Sequence, residues 1–109
     1  MSYLKTTSKY FITTPIFYVN ASPHIGHLHS ALLADAQSRF QALLGAKDII
    51  FATGTDEHGL KIQKAAENLN YSHPEIFCND ISKKYLDLFK RFDIKNSDFI
   101  RTSSDRHKV

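Results

Sequence analysis

Two imidazoles three positions apart, His24 and His27, stand in the run Pro23-His24-Ile25-Gly26-His27, where a strand pattern gives way to a helical one. The unpaired N–H groups and the dipole at a helix mouth attract anions, so this turn is a natural phosphate cradle. Gly26 removes the side chain that would hold a phosphate away from the backbone. Each histidine can donate an N–H to a phosphate oxygen as charge builds up during displacement at phosphorus, and neither is needed as a nucleophile. The same residues fit two other readings: a capping or partly buried pair, or a metal set of His24, His27 and His29.

Residues 54–59 (GTDEHG) crowd ionisable groups behind an apolar run. A carboxylate there, with Asp56 the candidate, could fix a substrate ammonium by a charge-assisted hydrogen bond. Helix-start chemistry would select the same Thr, Asp and Glu. Residues 15–20 (PIFYVN), just before the histidine pair, suggest a pocket for an uncharged side chain or a nucleobase, although ordinary core has the same composition.

Short β patterns and longer helical ones must position these groups. Residues 10–14 read as a strand closed by Pro15, and residues 20–23 as a turn. From Gly26, Leu28, Leu32, Ala36, Phe40 and Leu43 or Leu44 recur at helical spacing, with Gly45 as the C-terminal cap. The apolar run 48–53 predicts a strand buried on both faces, ended by the glycine-bounded segment. Leu60, Ile62, Ala65, Ala66 and Leu69 predict a second helix that Asn70 ends. Residues 72–75 (SHPE) resemble a capping box with proline in the first turn, opening a third helix whose inner positions are Phe77, Ile81, Tyr85, Leu88 and Phe92. Residues 97–102 read as a last strand. The alternation implies an α/β fold, a three-stranded parallel sheet with flanking helices joined by right-handed crossovers, which is half of a doubly wound fold. Ligands of such folds bind beyond the carboxyl ends of the strands, so residues 15–27 and 54–59 should meet there.

Composition sets the bounds. At 109 residues, 42% hydrophobic and 23% charged, the chain has the bulk of one small globular domain. Its net charge of +3 permits contact with nucleic acid, but no Lys/Arg-rich run strengthens that case. No stretch of eighteen uncharged apolar residues occurs. The single cysteine, Cys78, excludes an internal disulfide, fits a reducing compartment, and reads as an inert buried helix residue. Residues 1–9 hold two lysines, five Ser/Thr/Tyr and no acid, the composition of a partial mitochondrial targeting segment or a flexible terminus. Residues 10–109 would then form the domain. Lys83, Lys84, Lys90 and Arg91 read as a solvated helix face on which Asp87 pairs with Lys83 and Arg91. Arg101, Arg106, His107 and Lys108 form a basic end.

The PHIGH stretch resembles the His-x-Gly-His signature of class I aminoacyl-tRNA synthetases and related nucleotidylyltransferases. Joined to TTPIFYVN at 13–20, GTDEHGLKIQKAA at 54–66 and SDFIRTS at 97–103, it resembles the methionyl-tRNA synthetases of bacterial and mitochondrial type from Tyr10 onward. That resemblance implies the first half of a Rossmann-like (HUP-type) nucleotide-binding fold. The implied activity uses ATP with Mg2+ and methionine to make methionyl-adenylate and pyrophosphate, then transfers methionine to tRNA(Met). His24 and His27 would be the catalytic contacts to the ATP phosphates, with Gly26 allowing the nucleotide close. Asp56 and the backbone of Ile16 would hold the methionine ammonium, and Tyr18 would line the thioether pocket. No zinc ligands are implied in this segment. The implied compartment is the mitochondrial matrix, with the cytoplasm as alternative.

The family's lysine-containing KMSKS loop, connective insertion and anticodon-binding domain are not among these residues. In the family the first strand is central and pairs on its far edge with the other half of the domain. The expectation is therefore a truncated, marginally folded fragment, inactive alone, with an open sheet edge and an uncovered apolar face, needing the remaining half of the catalytic domain. A small free-standing nucleotidylyltransferase and a non-catalytic module retaining the fold are the alternatives.

Overall fold

The computed structural model describes residues 8–108. The targeting-segment expectation for residues 1–9 thus falls almost wholly outside the described residues. The elements run β1 (Lys9–Thr13), β2 (Phe17–Tyr18), α1 (Ile25–Leu43), β3 (Asp48–Asp56), α2 (Leu60–Asn68), α3 (Pro74–Arg91), β4 (Asp98–Arg101) and a 3-10 turn, Asp105–His107. Every strand pairing is parallel. β3 is central: β1 and β2 lie one after the other along one edge, and β4 pairs with the other. Three strand positions were expected and three are occupied, but the first is filled by two strands.

The break between β1 and β2 has a simple cause. Thr13 is in register with Ala52 and Phe17 with Thr55, so this edge carries one residue more than β3 does over the same span. The extra residue is a bulge at Pro15 and Ile16, where proline has no N–H to give to the ladder. Thr14 pins it: its hydroxyl donates to the Pro15 carbonyl at 2.9 Å and accepts from the Thr53 hydroxyl at 2.6 Å. The bulge also reverses the side-chain alternation. Ile12 and Thr14 face the helices before it, and Phe17 and Val19 do so after it. Tyr18 is thereby turned to the opposite face together with its register partner Asp56.

The core lies on one side of the sheet. Phe17, Val19 and Phe51 join buried side chains of all three helices in a single cluster, with Tyr85, Phe77 and Phe89 supplying most of the aromatic bulk. The other side is open at its amino-terminal end, where the register partners Phe11 and Ile50 are 66% and 47% exposed. The expectation that β3 is buried on both faces is therefore corrected. It holds only toward the carboxyl end of the strand, because the helices cover just one face. β3 also continues through Gly54 to Asp56 rather than stopping at Thr53, since β2 and β4 flank it there.

All three helix faces differ from expectation as well: on the α2 segment only Ile62 and Ala66 are buried, and Leu60 and Leu69 are exposed. α1 buries Leu28, Ala31, Ala34, Asp35 and Ser38, while Leu32, Phe40 and Leu43 are exposed. Small residues and one paired carboxylate let α1 approach the sheet: Asp35 accepts from the Lys95 N–H at 2.8 Å and from Arg39 Nε at 2.8 Å. α3 buries Phe89 rather than Phe92, along with Cys78 and Ser82. Its start is also one residue later than the capping box required. Pro74, with φ preset for the first turn, opens the helix, His73 occupies the cap position, and no side chain caps it. Asn70, at φ 60°, ends the α2 segment as its sequence suggested.

Candidate functional site

The segments 15–27 and 54–59 meet at the carboxyl end of the sheet. β2 sets Phe17 against Thr55 and Tyr18 against Asp56, and the Val19 N–H donates to the Asp56 carbonyl at 3.2 Å. Phe17 passes the contact inward, stacking on Tyr85 of α3 at a ring separation of 5.3 Å and meeting His27 edge-on at 5.4 Å. Tyr18 stands on the other face, where a Cβ on Gly59 would fall 2.7 Å from its hydroxyl. Gly59, at φ 119°, opens α2, so glycine here serves both the backbone and the ring above it. Asp56 is partly exposed, and its Oδ1 takes only a long 3.4 Å bond from the His58 N–H. Ile16 sits on the bulge with its side chain 47% exposed.

The histidine pair is a capping box built from imidazoles. His24 is the N-cap of α1: its Nδ1 accepts from the Gly26 N–H at 3.0 Å, and the His27 Nδ1 accepts from the His24 N–H at 3.2 Å. A backbone N–H can only donate, so both Nδ1 atoms are acceptors. In the neutral ring the proton must then sit on Nε2. Two parallel reasons for the spacing follow: it closes the first turn of α1, and it leaves each ring with one N–H for a ligand. The rings stack at 3.8 Å. Burial, and secondly the neighbouring His24, lower the His27 pKa and favour the neutral donor. Gly26 has a role the sequence reading did not assign, because a Cβ there would lie 2.8 Å from His24 Cε1 and displace the ring from its cap.

Both the capping and the phosphate readings of this pair are thus compatible with one geometry. Among the described residues no three His, Cys, Asp or Glu side chains gather as a metal-ligand set. His29 is exposed on the first turn of α1.

Beneath the acidic loop lies a clamp that the sequence reading missed. The Glu57 side chain is 0% exposed and takes both Nε and Nη2 of Arg101, at 2.7 and 2.6 Å. Arg101, arriving from β4, also donates to Asn79 of α3 at 2.6 Å. Thr55 donates to Glu57 at 3.0 Å and therefore accepts from Ser82 at 3.2 Å, and the Glu57 N–H donates to Thr102 Oγ1 at 2.8 Å. His58 is tied to the Thr102 carbonyl at 3.1 Å. The loop bearing Asp56 is thus fixed to β4 and α3 on either side of it. Cys78 lies against this clamp, and burial, reinforced by the Glu57 charge, pushes its thiol up to about 11. It stays protonated and inert at neutral pH.

The basic residues divide differently from expectation. Arg101 is a clamp, and Arg106 grips Asp98 through two nitrogens, at 3.0 and 2.6 Å. Asp87 forms no ion pair with Lys83 or Arg91 among the described residues, as weak exposed pairs often fail to. Lys84 instead donates to the Ser22 hydroxyl at 3.1 Å, in the turn before the histidines.

The chain is 54% identical over 101 residues to the mitochondrial methionine–tRNA ligase of Mus musculus, covering 91% of this chain and 17% of that protein. It is 48% identical over 99 residues to the methionine–tRNA ligase of Rickettsia prowazekii, covering 91% of this chain and 19% of that one. Mycobacterium tuberculosis methionyl-tRNA synthetase, solved in complex with methionyl-adenylate, matches at a TM-score of 0.86 and 36% identity, over 91% of this chain and 19% of that one. The chain therefore spans less than a fifth of the length of these proteins. The model of the family described as tRNA synthetases class I (M) matches residues 10–109, and the chain belongs to that family.

Proposed function

We propose that these residues form the amino-terminal part of a methionine-activating site. There ATP and methionine give methionyl-adenylate and pyrophosphate, ahead of transfer to tRNA(Met). The observation that carries this reading is the β2–β3 pairing, which sets Tyr18 and Asp56 side by side next to the imidazole-capped mouth of α1. The Asp56 carboxylate would receive the methionine ammonium. The carbonyl of Ile16, on the bulge, would receive a second N–H of the same group. Tyr18 would close the thioether pocket. A methionine carboxylate oxygen attacks the α-phosphorus, the bond to the bridging oxygen breaks, and pyrophosphate leaves. No side chain of this chain becomes covalently attached. The Nε2–H groups of His24 and His27 would donate to phosphate oxygens as charge accumulates there, so catalysis is positioning and charge stabilisation.

Mg2+ would arrive on the triphosphate, as is usual where the protein offers few carboxylates of its own. The likeness to mitochondrial ligases supports the matrix as the working compartment. The exposed Phe11 and Ile50, and the edge of β1 that pairs with no strand among the described residues, support the remaining half of the catalytic domain as a required partner.

Methionine-dependent exchange of labelled pyrophosphate into ATP tests the reading. The chain alone should show none, and the chain completed with the remainder of the Rickettsia prowazekii enzyme should exchange. A folded completed chain without exchange overturns the assignment. In that completed chain, Asp56→Ala removes a charged hydrogen bond of about 1.5–3 kcal/mol and should raise the KM for methionine roughly 10- to 100-fold. The KM for ATP should stay within about 2-fold, since ATP loses no contact. Equal effects on both substrates would remove Asp56 from the ammonium site.

A further inference from the structure

The geometry points to Tyr85 as the positioning residue that holds His27 as a neutral Nε2–H donor, making α3 a structural part of the phosphate site. The inference rests on the proposed role of His27 in phosphate contact and adds to it a residue on a different element.

Tyr85 is wholly buried, yet its hydroxyl lies 2.9 Å from His27 Nδ1. Two partners converge on that one nitrogen, because the His24 N–H also reaches it, at 3.2 Å. The backbone group can only donate, so Nδ1 accepts and the phenol must donate to it. An Nδ1–H tautomer, or the doubly protonated ring, would set a proton against both donors at once. The tyrosine bond is the shorter of the two and lies deeper in the fold, whereas the backbone bond belongs to an exposed turn.

The phenol is in turn held in place. Its ring stacks on Phe17 at 5.3 Å with planes 6° apart, and meets Phe89 edge-on at 6.2 Å. Burial pushes its own pKa up to about 12, so it remains a donor throughout the neutral range. The aromatic neighbours of the His27 ring among the described residues are His24 from the cap turn, Tyr85 from α3 and the uncharged ring of Phe17 from β2, and His24 is the charged group that bears on its titration. A helix end with paired histidines supplies donors; the tyrosine fixes which nitrogen carries the proton.

Nitrogen-15 NMR of the histidine rings in the completed chain tests this without reference to catalysis, so its outcome is separable from that of the exchange assay. His27 should be found as the Nε2–H tautomer, titrating below the ordinary imidazole value. Tyr85→Phe keeps the ring that stacks on Phe17 and removes only the hydroxyl. It should shift the His27 titration midpoint upward and introduce Nδ1–H character, with the His29 signals unmoved. An unchanged midpoint and tautomer in a folded Tyr85→Phe chain would overturn the inference. Should that variant not fold, the unaltered chain still decides: a His27 proton on Nδ1 is incompatible with the role assigned to Tyr85.

Discussion

Replacing Arg101 with methionine should cost the chain about 3 kcal/mol of unfolding free energy, because it strands a fully buried carboxylate. The Glu57 side chain is 0% exposed and its two oxygens are committed to Arg101 and Thr55. Methionine preserves much of the stem volume, so the lost pairing rather than lost packing dominates. Arg101 is itself 30% exposed, which places the effect near the lower end of the range for broken buried pairs. The double substitution Glu57→Gln with Arg101→Met should recover part of the loss, since an amide needs no counter-charge. Urea denaturation of the unaltered chain and the two variants measures this. A loss below about 1 kcal/mol for Arg101→Met, the size of an exposed ion pair, would show that solvent screens the clamp.

Gly54→Ala should be comparably damaging, for steric reasons. A Cβ on Gly54 would lie 2.0 Å from the Ile100 carbonyl oxygen and 2.8 Å from its carbon, both backbone atoms of the paired strand β4. No rotamer change relieves a contact with backbone, so β4 must move away from β3. That movement would stretch the bond from the Thr102 N–H to the Thr55 carbonyl, 3.1 Å long, and pull Arg101 off Glu57. Overpacking ordinarily costs about 1–3 kcal/mol, and a displaced strand puts this case at about 3 kcal/mol. Amide hydrogen exchange should show β4 and Thr102 losing protection while α1 retains it. Unchanged stability and protection would mean that β4 is not held as close as the structure has it.

Much of the architecture is legible in the sequence because local signals and tertiary demands agree. Gly45 and Asn70 end helices, Pro74 starts one, and the apolar run before Gly54 is the central strand. The meeting of the two chemistry-bearing segments follows from the parallel topology alone. The departures are long-range. A bulge at Pro15 and Ile16 reverses which residues face inward, and it is visible only once β1 and β2 are seen against a common partner. α1 turns Ala31 and Ala34 inward and Leu32, Leu33 and Leu43 outward, since the distance to the sheet rather than side-chain hydrophobicity sets the choice.

The clamp beneath Asp56 escaped notice for a similar reason. Glu57 and Arg101 are 44 positions apart, and neither residue type signals burial. The one available cue was the placement of Glu57 at the end of a strand followed by a basic residue at the end of another. Helical periodicity places Tyr85 on the inward face of α3, but it carries no information about what a phenol hydroxyl reaches. The sequence shows which residues could do chemistry; which nitrogen bears the proton depends on partners that only folding supplies.

The central claim is that the bulge, the histidine turn and the acidic loop together receive an amino acid joined to a nucleotide. Titrating the completed chain, nitrogen-15-labelled in these residues, with a non-hydrolysable methionyl-adenylate analogue, and mapping which amide and imidazole signals shift, tests it most directly. Shifts concentrated at Ile16 to Tyr18, at His24 to His27 and at Asp56 to Gly59 are the predicted result. Shifts confined to the outer face of α3, or none at saturating ligand, would contradict it.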